Sequence, residues 1–223
     1  MLAEERPSPT IEDYLGVIYI LARDGERAIG ARLAESLEVS PPTVSATLQR
    51  MARDGWIRVG EDKLITLTDQ GQAMAISVIR RHMLTEWMLA RVLKLPLSEL
   101  HREAHQIEHT LSPDVEARLQ SEMEDPRVCP HGNPLPGFES EVVRWHPLNQ
   151  VSAGEEVVLQ RIHDNLEGHY EQLRFLESRG LKPGVRVRVE AVLPFNETME
   201  ISVEGQPVTL GINLAGFLFV EKL

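Results

Sequence analysis

Nine consecutive residues, His101-Arg102-Glu103-Ala104-His105-Gln106-Ile107-Glu108-His109, contain three imidazoles and two carboxylates. On a helix, side chains three and four positions apart share a face, so His101, His105, Glu108 and His109 project to one side over about two turns. That much polarity on one face needs a partner once it is desolvated, and a divalent cation suits both donor types. His82 and Glu86 repeat the four-residue spacing on the preceding segment. With Lys94-Leu95-Pro96 as a short connector, two antiparallel helices can supply one metal site or two adjacent ones. Imidazole and carboxylate without thiolate suit Mn(II), Fe(II), Co(II) or Zn(II) and not copper(I). Raw affinity favours zinc over manganese, so selectivity must come from coordination number and cellular supply.

Plainer readings exist for each residue. A lone histidine on a helix is ordinarily a surface or packed residue, and it is the density of donors that argues for ligation. Asp13, in Thr10-Ile11-Glu12-Asp13, can serve as the acidic half of a capping box, which needs no metal. His105-Gln106-Ile107-Glu108-His109 also fits the H-x-x-E-H pattern of inverted zinc proteases, with two histidines on zinc and a glutamate as general base. That reading needs a further acidic ligand and gives no role to Asp13, His82 or Glu86. Cys129, the one cysteine, stands beside Pro130 and His131 and reads as a packed residue of a proline-rich connector. Alone, it excludes an internal disulfide or a thiolate cluster.

The elements that must position these groups are legible as periodicities. Thr10 to Asp13 opens a helix with an apolar stripe at Tyr14, Leu15, Ile18, Leu21 and Ala22, ended by Asp24-Gly25. A second helix spans about Gly30 to Leu37. After a turn, Ser40 caps a third over Pro42 to Asp54, with Pro41 in its first turn. This is a helix-turn-helix. Trp56 to Val59 and Leu64 to Thr68 flank a polar turn and make a hairpin wing. Helices follow over about Asp69–Leu95, Leu97–Leu111 and Pro113–Glu124. Met74, Ile76, Val78, Ile79, Met83, Leu84, Trp87, Met88 and Leu89 form an apolar face too broad for a lone helical hairpin to cover, which implies a dimer. A connector rich in proline and glycine, 125–149, precedes strands at 156–162, 185–192, 199–203, 207–210 and 217–221, with a helix at 165–179. Short strands with tight turns suggest a small barrel.

The 223 residues, 42% hydrophobic and 26% charged, describe an ordinary globular chain of two or three small domains. No apolar run is long enough to span a bilayer, and the polar, proline-punctuated N-terminus is unlike a signal peptide, so a cytoplasmic protein without membrane contact is expected. A net charge of -11 argues against coating nucleic acid by bulk electrostatics. Arg27, Arg32, Arg50, Arg53, Arg58 and Lys63 nonetheless cluster in one early stretch and leave room for a local basic face.

The order of parts resembles the diphtheria-toxin-repressor (DtxR) and MntR family of metalloregulators over nearly the whole chain. The resemblance rests on Asp13-Tyr14-Leu15 with Ile18-Tyr19, Ser40-Pro41-Pro42-Thr43-Val44-Ser45, Arg81-His82 with Glu86, Glu108-His109, and Gly132-Asn133-Pro134-Leu135-Pro136-Gly137. It implies a mainly α chain with small β parts: a winged helix-turn-helix over 1–74, a helical metal-binding and dimerisation domain over 75–148, and an SH3-like, FeoA-like β-barrel over 149–223. A primary, activating metal site then falls on Asp13, His105, Glu108 and His109. An ancillary site falls on His82, Glu86 and His101, completed from the last domain by His169 and Gln172, with Glu171 as the alternative donor. Iron-type members carry Met and Cys where this chain has Asp13 and His105, and manganese-type members carry Asp and Glu. Gly16 occupies the place of a second acid that manganese-type members often use, which argues against a two-metal cluster. Manganese is expected first and iron(II) second, with Co(II), Zn(II), Ni(II) or Cd(II) binding in vitro.

The resemblance further implies a homodimer that places one third helix per protomer into successive major grooves of a palindromic double-stranded operator and represses metal-uptake genes. Ser40, Pro42, Thr43, Ser45 and Thr47 are expected to face bases or phosphates, and Arg32, Arg50 and Arg53 the backbone. Ala46 leaves base reading to thymine methyls and DNA shape. An ion joining Asp13 to the histidine-bearing helix would act as a clamp that fixes the spacing of the reading heads. A rival keeps the DNA-binding module and replaces the metal with an organic effector.

Overall fold

The computed structural model describes residues 6–223. These divide into two compact units, one running to His82 and taking in Ile107–Ser112, the other made of Met83–Gln106 and Pro113–Leu223.

In the first unit, α1 (Pro9–Arg23) begins earlier than the capping-box reading placed it: Ser8 is the N-cap and Pro9 fills the first turn. Asp13 is therefore inside the helix and away from its cap. Its buried stripe is Ile11, Tyr14, Leu15, Ile18, Tyr19 and Leu21. Short α2 (Gly30–Ser36) and α3 (Pro41–Arg53) form the helix-turn-helix. Ser40 caps α3 as expected, accepting from the Thr43 amide at 3.4 Å. Val44, Thr47 and Met51 point inward at helical spacing. Strands β1 (Ile57–Val59) and β2 (Ile65–Leu67) pair antiparallel as the wing, with Val59 opposite Ile65. The Ile65 amide donates to the Ala28 carbonyl at 2.8 Å, which fastens the wing to the start of α2.

Helix α4 (Asp69–Arg91) begins in this unit and continues into the second. Thr68 caps it, its hydroxyl accepting from the Gly71 amide at 3.1 Å. Gly71 lies so close to the hairpin that a Cβ there would stand 2.0 Å from the Trp56 carbonyl oxygen.

The second unit contains the rest of α4, α5 (Leu97–Ile107) and α6 (Pro113–Glu122). The sequence predicts one helix to Leu111, but α5 stops at Ile107 and the chain tightens into a 3-10 turn, Glu108–Thr110, which belongs to the first unit. A six-stranded antiparallel sheet follows in the order β3-β8-β4-β5-β6-β7. Its members are β3 (His146–Pro147), β4 (Glu156–Ile162), β5 (Arg186–Leu193), β6 (Thr198–Val203), β7 (Gln206–Gly211) and β8 (Leu218–Lys222). The helix expected over 165–179 is two pieces, α7 (Asp164–Glu167) and α8 (Tyr170–Ser178), separated at Gly168. With α9 (Ile212–Ala215) they close a core of alternating strand residues that includes Val157, Leu159, Val187, Val189, Ile201 and Val220. Glu177 of α8 anchors the start of α5, accepting from the Leu97 amide and the Ser98 hydroxyl, both at 2.8 Å.

Most of the apolar face expected on α4 is covered by this chain itself: Val78, Ile79, Met83, Leu84 and Leu89 are buried. Val92 (63%) and Leu93 (61%), just past its end, remain exposed.

Gly71→Ala is expected to cost the fold on the order of 1–3 kcal/mol, because α4 and the wing must part to admit the methyl. Urea unfolding checks it, and an unchanged midpoint would show that the approach is looser than described.

Candidate metal centres

Two helices and a turn build the first cluster. Helix α1 presents Asp13, and the 3-10 turn after α5 presents Glu108 and His109; one ligand atom of each lies within 4.8 Å of the others. His109 Nε2 stands 3.2 Å from Asp13 Oδ1 and 3.3 Å from Glu108 Oε1. The opposite ring nitrogen, Nδ1, is 2.6 Å from Glu12 Oε2, and Glu12 Oε1 accepts from the Nη2 of fully buried Arg81 at 2.7 Å. Glu108 is itself buried, and its second oxygen meets His82 Nδ1 in a short contact. One carboxylate thus divides its two oxygens between two imidazoles. Gly16, where a second acid would sit, faces Val78 and Ile79 of α4 at ordinary contact distance, an aliphatic setting hostile to a carboxylate. His105 is on the last turn of α5, three residues before Glu108 and exposed, its ring stacked at 6.4 Å on that of His101.

The second unit gathers a cluster that the sequence reading did not assemble. Glu86, Cys129, His131 and Glu167 are all buried, with ligand atoms within 4.8 Å of one another. His131 Nε2 donates to the Leu97 carbonyl at 3.0 Å, which leaves Nδ1 facing Glu86 at 3.2 Å and Glu167 at 3.4 Å. Cys129 Sγ lies 4.0 Å from Glu167 Oε1. The other oxygen of Glu167 is 3.2 Å from His101 Nδ1, so this carboxylate too is divided between two groups.

A turn holds the cluster in place. Asn133 donates to Glu167 at 2.6 Å and to the Ile162 carbonyl at 2.9 Å, and the Ile162 amide donates to the His131 carbonyl at 2.8 Å. Gly132 (φ +88°) allows this docking, since a Cβ there would be 2.0 Å from the Gln160 carbonyl, where β4 is bulged.

Of the expected C-terminal donors, His169, Glu171 and Gln172 are exposed, following the break in the chain at Gly168. Glu167, on the preceding helical turn, is the residue brought to His101. Cys129 is packed, as expected, but packed among donors, and the spacing Cys129-Pro130-His131 ahead of Gly132-Asn133 was the available signal. Glu12 and Arg81 were missed because only Asp13 of the helix-opening acids had been weighed for a role, and a buried arginine leaves no periodic trace.

Both donor sets fit a divalent cation. In each, two carboxylates face one another with little water, an arrangement whose repulsion a cation relieves.

Of the residues expected to meet DNA, Ser40, Pro42, Thr43, Ser45, Arg50 and Arg53 are exposed along α3. Thr47 is not among them: at 7% exposure it packs inward between Val44 and Met51. Arg32 pairs with Glu26, and Arg53 with Asp54 at 2.8 Å, so part of the local basic charge is neutralised within the protein.

Three family models match consecutive stretches: the iron dependent repressor N-terminal DNA binding domain over 7–64, the iron dependent repressor metal binding and dimerisation domain over 68–137, and the FeoA domain over 146–222. The chain is similar to the iron-dependent repressor IdeR of Mycobacterium tuberculosis, at 38% identity with 96% of this chain and 97% of that protein covered. It is similar to the diphtheria toxin repressor of Corynebacterium efficiens at 35% identity, with 96% of each covered. Among solved structures, a manganese-dependent transcriptional repressor in complex with manganese superposes with a TM-score of 0.83 at 30% identity, over 96% of this chain and 100% of that one. ScaR with bound zinc superposes with 0.78 at 28% identity, over 97% and 100%.

Burial opposes a charge on His131, but the carboxylates of Glu86 and Glu167 outweigh it and push its pKa up to about 9 from 6.5. Burial, then the charges of Glu86, Glu167 and Asp164, push the Cys129 thiol well above its ordinary value. A histidine whose pKa rises on folding stabilises the fold fully below its unfolded pKa, and that contribution is lost as pH climbs through the folded one. In chelator, the thermal midpoint is therefore expected to fall between pH 6.5 and about 9. His131→Gln should flatten that slope, and an equal slope in both proteins would remove His131 as its source.

Proposed function

This chain belongs to the iron-dependent repressor family of metal-dependent, DNA-binding transcriptional regulators, and from that premise we propose that it grips a palindromic operator as a homodimer when Mn(II) ties α1 to the turn after α5. The observation that carries this reading is the convergence of Asp13, Glu108 and His109 within 4.8 Å, in the same compact unit as the winged helix-turn-helix. His105, one helical turn upstream of Glu108 and His109, completes the donor set as the family resemblance implies. A divalent cation bound there supplies bonds that pull these groups together against their mutual repulsion.

Asp13 holds the α1 end of that clamp, and Glu108 and His109 hold the other. A clamp shifts an equilibrium only through the difference in affinity between the two arrangements, and a tenfold shift corresponds to about 1.4 kcal/mol. Ser40, Pro42, Thr43, Ser45 and Arg50 are the residues offered to the operator, with Arg32 and Arg53 released to phosphates as their carboxylate partners yield. Val92 and Leu93 provide exposed apolar ground for a second protomer. The ancillary centre is assigned to His82, Glu86 and His101 with Glu167, and Cys129 and His131 adjoin Glu86 and Glu167.

Manganese stands first because Asp13 occupies the place where manganese-type members carry Asp and iron-type members Met. Iron(II) stands second because relatives named as iron-dependent share this architecture. The genes under control are those for uptake of the same metal, and the protein works in the cytoplasm, where operator DNA is; no helix among the described residues is long and apolar enough to cross a membrane. The chain is not an enzyme: the relatives are named repressors, and the peptidase pattern founders on Glu108, whose two oxygens are engaged by His82 and His109.

Duplexes selected from a random pool by the Mn(II)-loaded protein, then titrated in gel shifts with Mn(II), Fe(II), Co(II) and Zn(II), test the reading. Binding should need metal, vanish in chelator and be strongest with Mn(II). Asp13→Ala is expected to weaken metal-dependent binding at least tenfold, on the order of the 1.4 kcal/mol above, with an unchanged melting curve in chelator. Full metal response in that variant, or binding indifferent to chelator as an organic effector would require, overturns it.

A further inference from the structure

The Glu12 carboxylate is almost wholly enclosed, at 2% exposure, and its two oxygens do different things. Oε1 takes the guanidinium of Arg81 at 2.7 Å, and Oε2 takes His109 Nδ1 at 2.6 Å. A glutamate serving only to neutralise a buried arginine would gain most by offering both oxygens to the planar fork. Here one is withheld for an imidazole. Arg81 is steadied from elsewhere as well, donating to the Ser77 hydroxyl one turn earlier on α4 at 3.0 Å. Arg81, Glu12 and His109 therefore form a chain from α4 through α1 to the 3-10 turn, all within the first unit.

A carboxylate accepts and does not donate, so the proton of this contact belongs to His109 Nδ1. That leaves Nε2 as the atom to give its lone pair to a bound cation, and it is Nε2 that stands between Asp13 and Glu108 at 3.2 and 3.3 Å. The negative charge behind Nδ1 also makes Nε2 a better donor to a cation, and the hydrogen bond fixes the ring plane.

We propose that Glu12 is the positioning residue of the first metal centre: held by buried Arg81, it fixes the ring and tautomer of His109 so that Nε2 is presented to the cation. This rests on the metal-site reading above. It gives α1 two successive acids with separate tasks, Asp13 as donor and Glu12 as the support of another donor.

Histidine labelled with 15N and loaded with 113Cd(II) provides the test in the full-length protein, with His109→Gln used to assign the resonance. Cadmium coupling is expected at Nε2 of His109, with a slowly exchanging proton on Nδ1. The paired variant Glu12→Met with Arg81→Met removes both charges in favour of apolar chains of similar length, a replacement buried ion pairs tolerate. It should fold and bind Cd(II) at His109 10–100-fold more weakly. Glu12→Gln retains an acceptor in the same place and should keep the Nδ1 proton while losing less affinity. Cadmium on Nδ1, or unchanged affinity in the folded paired variant, sinks this assignment alone. Cadmium absent from His109 in the unaltered protein sinks the metal-site reading with it. Should the paired variant fail to fold, the coupling pattern of the unaltered protein still decides.

Discussion

The interaction on which this structure depends is the enforced approach of carboxylates away from water. Asp13 and Glu108 face each other across His109 in one place, and Glu86 and Glu167 across His131 in the other. Like charges held this close under burial raise the free energy of the protein as it stands. The strain is useful, because only a cation, or a proton on an imidazole, relieves it. On the function proposed above, a cation bound at such a point would favour the arrangement that brings the carboxylates together.

The fold supports this with breaks in regular structure. If α5 ran on to Leu111, Glu108 and His109 would follow its helical face; the 3-10 turn after Ile107 redirects them to α1. If α7 and α8 were one helix, Glu167 would be followed at helical spacing by residues of the same face; the break at Gly168 leaves Glu167 turned inward and the following donors in solvent. The Cys129–Asn133 turn, whose Gly132 leaves no room for a side chain against bulged β4, does the same for Cys129 and His131. Rigid helices and strands surround each break, so the donors are placed by backbone that cannot easily yield.

Much of this was legible in the residues. The winged helix-turn-helix, the cap at Ser40, the strand positions of the C-terminal sheet and the donor-rich stretch from His101 to His109 follow from periodicity and residue type, which are local properties. What was not legible depends on contacts distant in sequence. Thr47 sits on the polar side of α3 by type, and its burial shows only once the rest of the unit is packed. Glu12 drew no notice because the capping box that opens the helix uses its neighbour Asp13 and leaves Glu12 without a local role. Its true partners, Arg81 and His109, are 69 and 97 residues away. Glu167 was missed by a few residues for a related reason: a helix break moves a donor by one turn, and a single glycine in a polar stretch does not announce one.

The two divided carboxylates carry the reasoning one step further. Glu108 shares its oxygens between His109 and His82, and Glu167 shares its own between His131 and His101. A carboxylate drawn more firmly to one side presents its remaining oxygen differently to the other, so the two imidazoles that share it influence each other reciprocally. His82 and Glu86 are one turn apart on α4. The two clusters also differ in donor type, with oxygen and imidazole beside Asp13 and the buried thiol of Cys129 in the other. Sulfur is the softer donor type, so two such clusters would rank divalent ions differently if each held one.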